Sequence, residues 1–235
     1  MNVGYEDVTV IVPTLNEAKN VTELLATLFN LYPKIKVVIA DDGSTDDTQK
    51  IIKKMEGNNP SLSLIDRTDK PVHGLTASVL DAIGKIDTPF FVVLDGDLQH
   101  PPERIKVLVK KLREGRKIVV AVRTRVAVDW ALKRRLMSII AVKLGEQVLR
   151  FRDRPTCSDI MSGFFAADLE FVREAVRSNP GAFVEKGYKI LFDLLKVLPP
   201  FTKIEEVPYT FGIRQMGKSK IGSKQIIAYV ESLIK

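Results

Sequence analysis

The feature that most constrains the fold is a regular alternation, through residue 122, between short apolar runs and segments with helical spacing. The runs are rich in β-branched and aromatic residues and predict buried strands over residues 8–12, 36–40, 62–65, 90–94 and 117–122. Helical segments lie between them, such as the one in which Val21, Leu24, Leu25 and Leu28 share one face. This alternation predicts an α/β fold, a mostly parallel sheet flanked by helices on both faces.

Further elements follow from the same spacing rules. We expect helices that begin near Thr45 or Asp46, that span residues 76–84 and that follow the proline pair at 101–102. In the less regular second half, we expect helices over residues 130–150, 168–177, 185–195 and from 221 onward, and strands over 162–166 and 203–211. No linker, repeat or low-complexity segment is visible, so we interpret residues 1–235 as a single domain.

Polar residues follow three of the predicted strands, where each strand ends. Ligands of parallel α/β sheets bind beyond these carboxyl ends. Asp95 and Asp97 come after the most apolar strand and can share a divalent cation, Mg²⁺ or Mn²⁺, with Gly96 permitting the tight turn. Taken alone, Asp-Gly-Asp is more often an ordinary turn than a metal site. Acids at residues 41–42 and the Asn-Glu pair at 16–17 make helix capping alone a poorer explanation than a binding site.

The charge of the chain indicates what its partners carry. The net charge is +7, and basic residues concentrate in residues 123–154 and 214–224. Such clusters attract phosphorylated substrates, anionic membranes or nucleic acid. A nucleic-acid site would interleave aromatic residues with the basic ones, and residues 123–154 offer only Trp130 and Phe151. We therefore expect no nucleic-acid partner.

The single cysteine and the lack of long apolar runs set the expected location. Cys157 cannot form an internal disulfide, and with no strong histidine partner in view we interpret it as a plain thiol. No apolar run approaches the roughly 20 residues that cross a bilayer. Residues 1–7 are polar and acidic, without a secretory signal. We expect a cytoplasmic location.

Several motifs together carry a resemblance to a known family. Residues 10–17 (VIVPTLNE), 40–46 (ADDGSTD) and 95–103 (DGDLQHPPE) resemble the signature blocks of the family 2 glycosyltransferases. The last of these, with residues 162–165 (SGFF), 186–190 (KGYKI) and 214–220 (RQMGKSK), resembles the polyprenyl-phosphate sugar synthases, the branch that includes dolichol-phosphate mannose synthase. The matches cover nearly the whole chain in the right order.

The resemblance implies a GT-A fold and a set of site residues. Those implied to hold the nucleoside are Pro13, Asn16, Glu17 and Asp42. Those implied to hold the metal and the diphosphate are Asp95, Asp97 and Gln99. Those implied to hold phosphates of the donor or acceptor are Arg214 and Lys220, and, with looser spacing, Arg123, Arg134 and Ser138 for the acceptor.

The implied reaction moves a sugar from a nucleotide-sugar donor, GDP-mannose, to a polyprenyl phosphate acceptor such as dolichyl phosphate, with inversion. A phosphate acceptor is already anionic near neutral pH, so it needs a basic clamp more than a general base. Asp159 is either such a base or the partner of an arginine, and the sequence favours neither. A UDP-sugar donor carrying glucose or N-acetylglucosamine is the nearest alternative. A nucleotidyltransferase is an alternative of another class, although these usually carry a Gly- and Arg-rich loop where residues 13–17 stand.

A lipid acceptor raises the question of membrane contact. In the family, some members carry membrane helices after the catalytic domain, where this chain stops, and others use partner proteins or surface helices. We therefore expect a peripheral position on the cytoplasmic face of a membrane, with a membrane partner protein as an open alternative. The basic helix over residues 130–150 could lie on an anionic surface or pack on the core. For the tail from residue 221, with Ile226, Ile227, Val230, Leu233 and Ile234 at helical spacing, packing on the core is favoured.

Overall fold

One sheet of seven strands is covered by helices on both faces. The structure, a computed structural model, describes residues 4–126, 132–212 and 223–235, without the side chains of residues 125–126, 132–139 and 223–224. The strands are β1 (Val8–Thr14), β2 (Lys36–Asp41), β3 (Leu62–Asp66), β4 (Phe90–Val93), β5 (Ile118–Val126), β6 (Phe165–Asp168) and β7 (Ile204–Phe211). The helices are α1 (Val21–Leu31), α2 (Thr48–Glu56), α3 (Leu75–Lys85), α4 (Ile105–Arg113), α5 (Leu132–Phe151), α6 (Leu169–Ser178), α7 (Ile190–Val197) and α8 (Ser223–Ile234), with a 3₁₀ turn at Pro102–Arg104 before α4.

The strand order is β3-β2-β1-β4-β6-β5-β7. Strand β6 runs antiparallel to both of its neighbours, and the other pairs are parallel. The predicted mostly parallel sheet is confirmed, with β6 as the exception. The carboxyl ends of β1, β2, β4 and β5 therefore meet the amino end of β6 at one edge of the sheet.

Successive residues of each strand point to opposite faces, and this divides the core into two layers. Val10 and Val12 of β1 pack with the buried faces of α1, α2 and α4. Ile11, between them, packs with the layer that contains α3, α6 and α7. The four α1 residues predicted to share a face, Val21, Leu24, Leu25 and Leu28, are the buried ones. The helices predicted on both faces are confirmed.

The helix predicted over residues 185–195 begins instead at Ile190. The preceding residues accept hydrogen bonds from the amino end of α3. The Thr76 and Ala77 N–H groups donate to the carbonyls of Gly187 and Glu185 at 3.1 and 3.0 Å. A first helical turn leaves such N–H groups without partners inside its own helix. Residues 185–189 stay extended or turned because they supply the missing acceptors.

Helix α2 starts later than residues 45–46, the positions predicted. The side chain of Asn16 accepts hydrogen bonds from the Thr45 and Asp46 N–H groups at 2.7 and 3.3 Å. The Asp46 carboxylate in turn accepts from Thr48 N at 3.0 Å. Residues 44–47 are thus held against the end of β1, and the helix begins at Thr48.

The last helix has the predicted position and packs on the core, but mostly through other residues than those predicted. Its buried face carries Ala228, Tyr229 and Ser232, and Leu233 packs partly buried beside them. The other four predicted apolar residues are exposed: Ile226, Ile227, Val230 and Ile234. Polar contacts, described below, give the helix this orientation. On α5, Leu149 is buried, and Ile140 and Leu144 are exposed.

Among the helices of the described residues, none combines the length and the apolar character that a membrane span requires.

Candidate active site

Two of the polar segments predicted at strand ends are in contact with each other and with the Ser-Gly pair before β6. A Cβ added at Gly96 would lie 3.3 Å from Thr14 Cγ2 and 3.5 Å from Glu17 Cγ, so the turn after β4 packs against the end of β1. A Cβ added at Gly163 would lie 3.1 Å from each carboxylate oxygen of Asp95. The glycine of the Ser-Gly pair before β6 thus permits close approach to that acid. The edge of the sheet brings residues from β1, β4 and β6 to one place.

The two acids of the turn differ in their surroundings. Asp97 is 5% exposed and its Oδ1 accepts from the Gln99 N–H at 3.1 Å. The carboxylate of Asp95 is about a third exposed. Leu98 between Asp97 and Gln99 has a φ of 63°, which turns the chain sharply after the acids. No cluster of three His, Cys, Asp or Glu side chains with metal-binding geometry occurs among the described residues.

His100 is buried against this turn and accepts a hydrogen bond from it. It is 2% exposed, and its Nδ1 accepts the Asp95 N–H at 3.0 Å, so the ring proton sits on Nε2. The ring stacks on Phe164 with centroids 5.3 Å apart and lies against Tyr209 and Phe211. Burial lowers the pKa of His100 to about 4 against the opposing charge of Asp97, which keeps the imidazole neutral. In the sequence, His100 stands out only as part of the motif at residues 95–103. Its buried position under the turn gives a physical reason for a histidine there.

The acids at residues 41–42 have separate tasks. Asp41 is fully buried and accepts hydrogen bonds from Thr14 Oγ1, Ser44 N and Gln49 Nε2, each at 2.8 Å. It is a structural acid that holds the turn after β2. Asp42, the acid implied to hold the nucleoside, is mostly buried, with a side chain 10% exposed.

Asp42 is fixed by a residue that sequence reasoning missed. Arg67, itself buried, forms an ion pair with Asp42 and donates from Nε to Asp81 at 2.9 Å. His73 Nδ1 lies 3.3 Å from Asp42 Oδ1. Nothing in the spacing marks Arg67, because it comes from the loop after β3 and meets Asp42 only in the folded sheet.

The other residues implied to hold the nucleoside lie beside Asp42. Pro13 is buried within β1 and pairs with Ala40. Asn16, at a φ of 53°, binds the 44–47 segment as described above. Glu17 Oε2 accepts from Asn20 Nδ2 at 2.8 Å. The structure brings all four to the ends of β1 and β2.

Arg123 and Asp159 form a two-bond ion pair. Arg123 Nε and Nη2 donate to the two carboxylate oxygens of Asp159 at 2.6 and 2.7 Å. Burial by itself raises the pKa of Asp159, but the hydrogen bonds and charge of Arg123 outweigh burial and hold this pKa below its ordinary value. A general base needs a pKa near the working pH, so this geometry favours the arginine-partner role left open above. A guanidinium has five N–H donors, and this pair uses two of them.

Gln99 joins the turn after β4 to Gly212, which follows β7. Its side-chain Nε2 donates to Gly212 O at 3.0 Å, and Gly212 N donates to Gln99 O at 2.9 Å. A Cβ at Gly212 would come within 3.2 Å of Gln99 O. Arg214 and Lys220, and the side chains of Arg134 and Ser138 on α5, lie outside the residues that the structure describes.

Lys189, which spacing did not single out, also faces the site. It precedes α7 and is partly buried, and its Nζ donates to Met161 O at 3.0 Å. Burial, together with the positive charge of Arg123, lowers its pKa to about 8 against the opposing charges of Asp95 and Asp159. These influences place its charge among those three side chains.

We expect Cys157 to be unreactive in the folded protein. It is buried, and burial raises the pKa of its thiol to about 12. At pH 8 a chromogenic disulfide reagent should label it at least about 100-fold more slowly in the native state than in urea, because the thiolate is the reactive form. Labelling at similar rates in both states would contradict the buried-thiol interpretation.

The chain is similar to a known protein family and to relatives that match nearly its whole length. Residues 9–175 match the family described as Glycosyl transferase family 2. The dolichol-phosphate mannosyltransferase of Pyrococcus furiosus is 35% identical over 232 residues, which cover 96% of this chain and 62% of the relative, less than two thirds of its length. That of Saccharomyces cerevisiae is 32% identical over 250 residues, covering 99% of this chain and 86% of the relative.

Solved structures resemble the fold. Mannosyl-3-phosphoglycerate synthase from Rubrobacter xylanophilus superposes with a TM-score of 0.67 at 18% identity, over 96% of this chain and 72% of that one. Glucosyl-3-phosphoglycerate synthase from Mycobacterium tuberculosis, solved with Mn²⁺, UDP-glucose and phosphoglyceric acid, gives 0.65 at 22% identity, over 96% and 79%. At these identities the similarity is one of fold.

Proposed function

Because the chain belongs to glycosyltransferase family 2 and has the predicted GT-A fold, we propose that it transfers mannose from GDP-mannose to the phosphate of a polyprenyl lipid, dolichyl phosphate. The observation that carries the proposal is that relatives named for mannosyl transfer to dolichol phosphate align with nearly the whole chain. The basic side chains beside the acid turn support a phosphate acceptor.

A divalent cation fits the turn after β4. Asp95 and Asp97 present carboxylate oxygens, the donors that Mg²⁺ and Mn²⁺ prefer, and such ions commonly combine one or two carboxylates with substrate phosphates. The close packing of Gly163 on Asp95 leaves that carboxylate few orientations. Asp95 and Asp97 would hold the ion, with Gln99 beside it. When bound, the ion would stabilise the negative charge that develops on the leaving diphosphate.

The donor and the acceptor would lie on opposite sides of this turn. Along the sheet edge, Asp42 follows β2, Asp95 follows β4, and Arg123 lies on β5, beyond β6. The nucleoside would bind at Pro13, Asn16, Glu17 and Asp42. The acceptor phosphate would bind near Arg123, with Arg134 and Ser138 of α5, and Arg214 and Lys220 would contact phosphates of either substrate.

The proposed reaction needs no general base. The attacking oxygen belongs to a phosphate that is anionic near neutral pH, so no proton needs to leave it. Arg123 orients that phosphate, and Asp159 orients Arg123 through both of its oxygens. Attack on the anomeric carbon from the face opposite the leaving diphosphate inverts its configuration.

The test is a turnover assay. GDP-mannose, UDP-glucose and UDP-N-acetylglucosamine are each paired with a short polyprenyl phosphate, with Mn²⁺, with Mg²⁺ and with a chelator. We expect transfer from GDP-mannose that the chelator removes. Transfer from a UDP-sugar alone would select the alternative donor, and no transfer with any pair would overturn the proposal.

The lipid acceptor places the protein at a membrane surface, on its cytoplasmic face. The exposed stripe of α8, formed by Ile226, Ile227, Val230 and Ile234, would enter the headgroup region, as amphipathic helices do. The exposed Ile140 and Leu144 of α5 belong to a helix that α8 contacts, since Tyr229 Oη donates to Ala141 O at 2.7 Å. A membrane partner protein that covers the same stripe is the competing proposal.

We expect the doubly substituted protein Ile227→Glu/Val230→Glu to lose vesicle binding. Removing two inserted aliphatic side chains should lower the bound fraction about tenfold or more in co-sedimentation with anionic vesicles. Leu31→Glu, an exposed leucine at the end of α1, is the matched control and should bind as the parent does. No binding of the parent protein to vesicles would favour the partner protein, and equal binding of all three would remove α8 from the contact.

A further inference from the structure

Lys189 lacks the partner that a partly buried lysine usually has. Within the described part of the chain, its Nζ contacts the Met161 carbonyl at 3.0 Å and the Tyr188 ring at 4.6 Å, and no carboxylate lies within ion-pair distance. Lys196, on α7, shows the usual solution: its Nζ lies 2.8 Å from Asp193 Oδ1. An ammonium has three donors, and the Met161 carbonyl uses one.

A second cation makes the arrangement less favourable still. Arg123 lies close enough to lower the pKa of Lys189. Of the two acids whose charges act in the opposite direction, Asp159 is bound by Arg123 through both oxygens, and Asp95 is not within ion-pair distance of the lysine. Two cations held together in a partly desolvated place are costly unless an anion joins them. The missing anion is therefore part of the ligand.

The order of strands indicates whether this anion belongs to the donor or to the acceptor. Met161, which holds Lys189, belongs to the segment that enters β6, and Arg123 lies on β5, next to β6 in the sheet. The nucleoside residues lie on the other side of the Asp95 turn, at β1 and β2. A diphosphate bound at Asp95 and Asp97 would extend toward β1, so a second, separate phosphate belongs at β5 and β6.

We propose that Lys189, to which the resemblance assigns no role, binds the acceptor phosphate together with Arg123. This inference rests on the proposed function for the identity of the acceptor. The ammonium and the guanidinium would donate to different oxygens of one phosphate monoester, and the Met161 carbonyl would keep the ammonium turned toward it.

The experiment compares Lys189→Met, Lys189→Gln and Lys189→Arg with Lys186→Met. Lys186 is an exposed lysine in the same loop, paired with Glu231 at 2.8 Å, and is the matched control. For each protein, farnesyl phosphate binding is measured by calorimetry, GDP binding is measured in the presence of Mn²⁺, and KM is measured for both substrates. Thermal unfolding identifies any variant that does not fold.

We expect Lys189→Met and Lys189→Gln to weaken farnesyl phosphate binding and raise the acceptor KM by about 10- to 100-fold, as for loss of a charged hydrogen bond. GDP binding and the donor KM should change less than about twofold, a split that a merely structural lysine would not produce. Lys189→Arg should recover most of the loss because it keeps the charge. Lys186→Met should match the parent protein.

Two results would overturn the inference. One is unchanged farnesyl phosphate binding in folded Lys189→Met and Lys189→Gln. The other is an equal loss of GDP binding, which would put Lys189 on the donor side. Failure of the proposed function is distinguishable, because the parent protein would then transfer no sugar in the donor panel while the calorimetric comparison of lysine variants still reports on phosphate binding.

Discussion

Replacing Asp97 with Ala or with Asn is expected to lower metal-dependent turnover by about 10³-fold or more. A bound metal is worth several kcal/mol of transition-state stabilisation, and each ~1.4 kcal/mol is a factor of ten in rate. Asn keeps an oxygen that can accept the Gln99 N–H, the contact that Asp97 Oδ1 makes at 3.1 Å, so the turn should survive. What Asn removes is the negative charge.

The measurement pairs turnover with Mn²⁺ binding in the presence of GDP, followed by electron paramagnetic resonance. We expect Asp97→Asn to fold with nearly the stability of the parent and to lose high-affinity Mn²⁺. Asp69→Ala, an exposed acid in the loop after β3, is the control and should change neither quantity. Normal metal-dependent turnover in Asp97→Asn would remove this residue from the metal site.

Replacing Asp193 with Ala is expected to destabilise the fold by about 3–5 kcal/mol, the usual result of leaving a buried charge without its partner. Asp193 and Lys196 on α7 each have side chains only 2% exposed and lie 2.8 Å apart. Lys196 also donates to Ala182 O and Ser232 O at 2.9 Å, and Val184 N donates to Asp193 Oδ2 at 3.1 Å. This network is what holds α8 with its apolar stripe outward.

Equilibrium unfolding in urea would measure the effect, with Lys196→Met as the reciprocal single variant. The double variant Asp193→Leu/Lys196→Met removes both charges and should recover much of the loss. Lys110→Ala breaks an exposed pair with Glu114 on α4 and should cost less than about 1 kcal/mol. A cost for Asp193→Ala as small as that of Lys110→Ala would show that the network carries little of the stability.

The sheet and the place of the site were predictable because both depend on local patterns. A run such as residues 90–94 is apolar at every position, which only a strand buried on both faces requires. Asp95 and Asp97 follow that run directly, so their position at the sheet edge comes with the strand. The direction of β6 was not predictable, since its short sequence is apolar whichever way it runs.

The tasks of individual side chains followed from contacts that no spacing encodes. Asp41 and Asp42 are adjacent and chemically identical, yet one is a buried structural acid and the other faces the site with Arg67. Lys189 and Lys196 are separated by two turns of helix, and only one of them has a carboxylate partner.

By itself, then, the sequence determined the strand and helix pattern, the family through its ordered motifs, and the edge of the sheet at which the acids meet. Only the tertiary structure decided that Asp159 pairs with Arg123, that His100 supports the turn after β4, and that α8 turns its apolar stripe outward. The physical reason is the range of the forces concerned. The periodicity of apolar residues reflects which side of a single helix or strand is buried. The burial and charge balance of one side chain depend instead on neighbours brought together from distant parts of the chain.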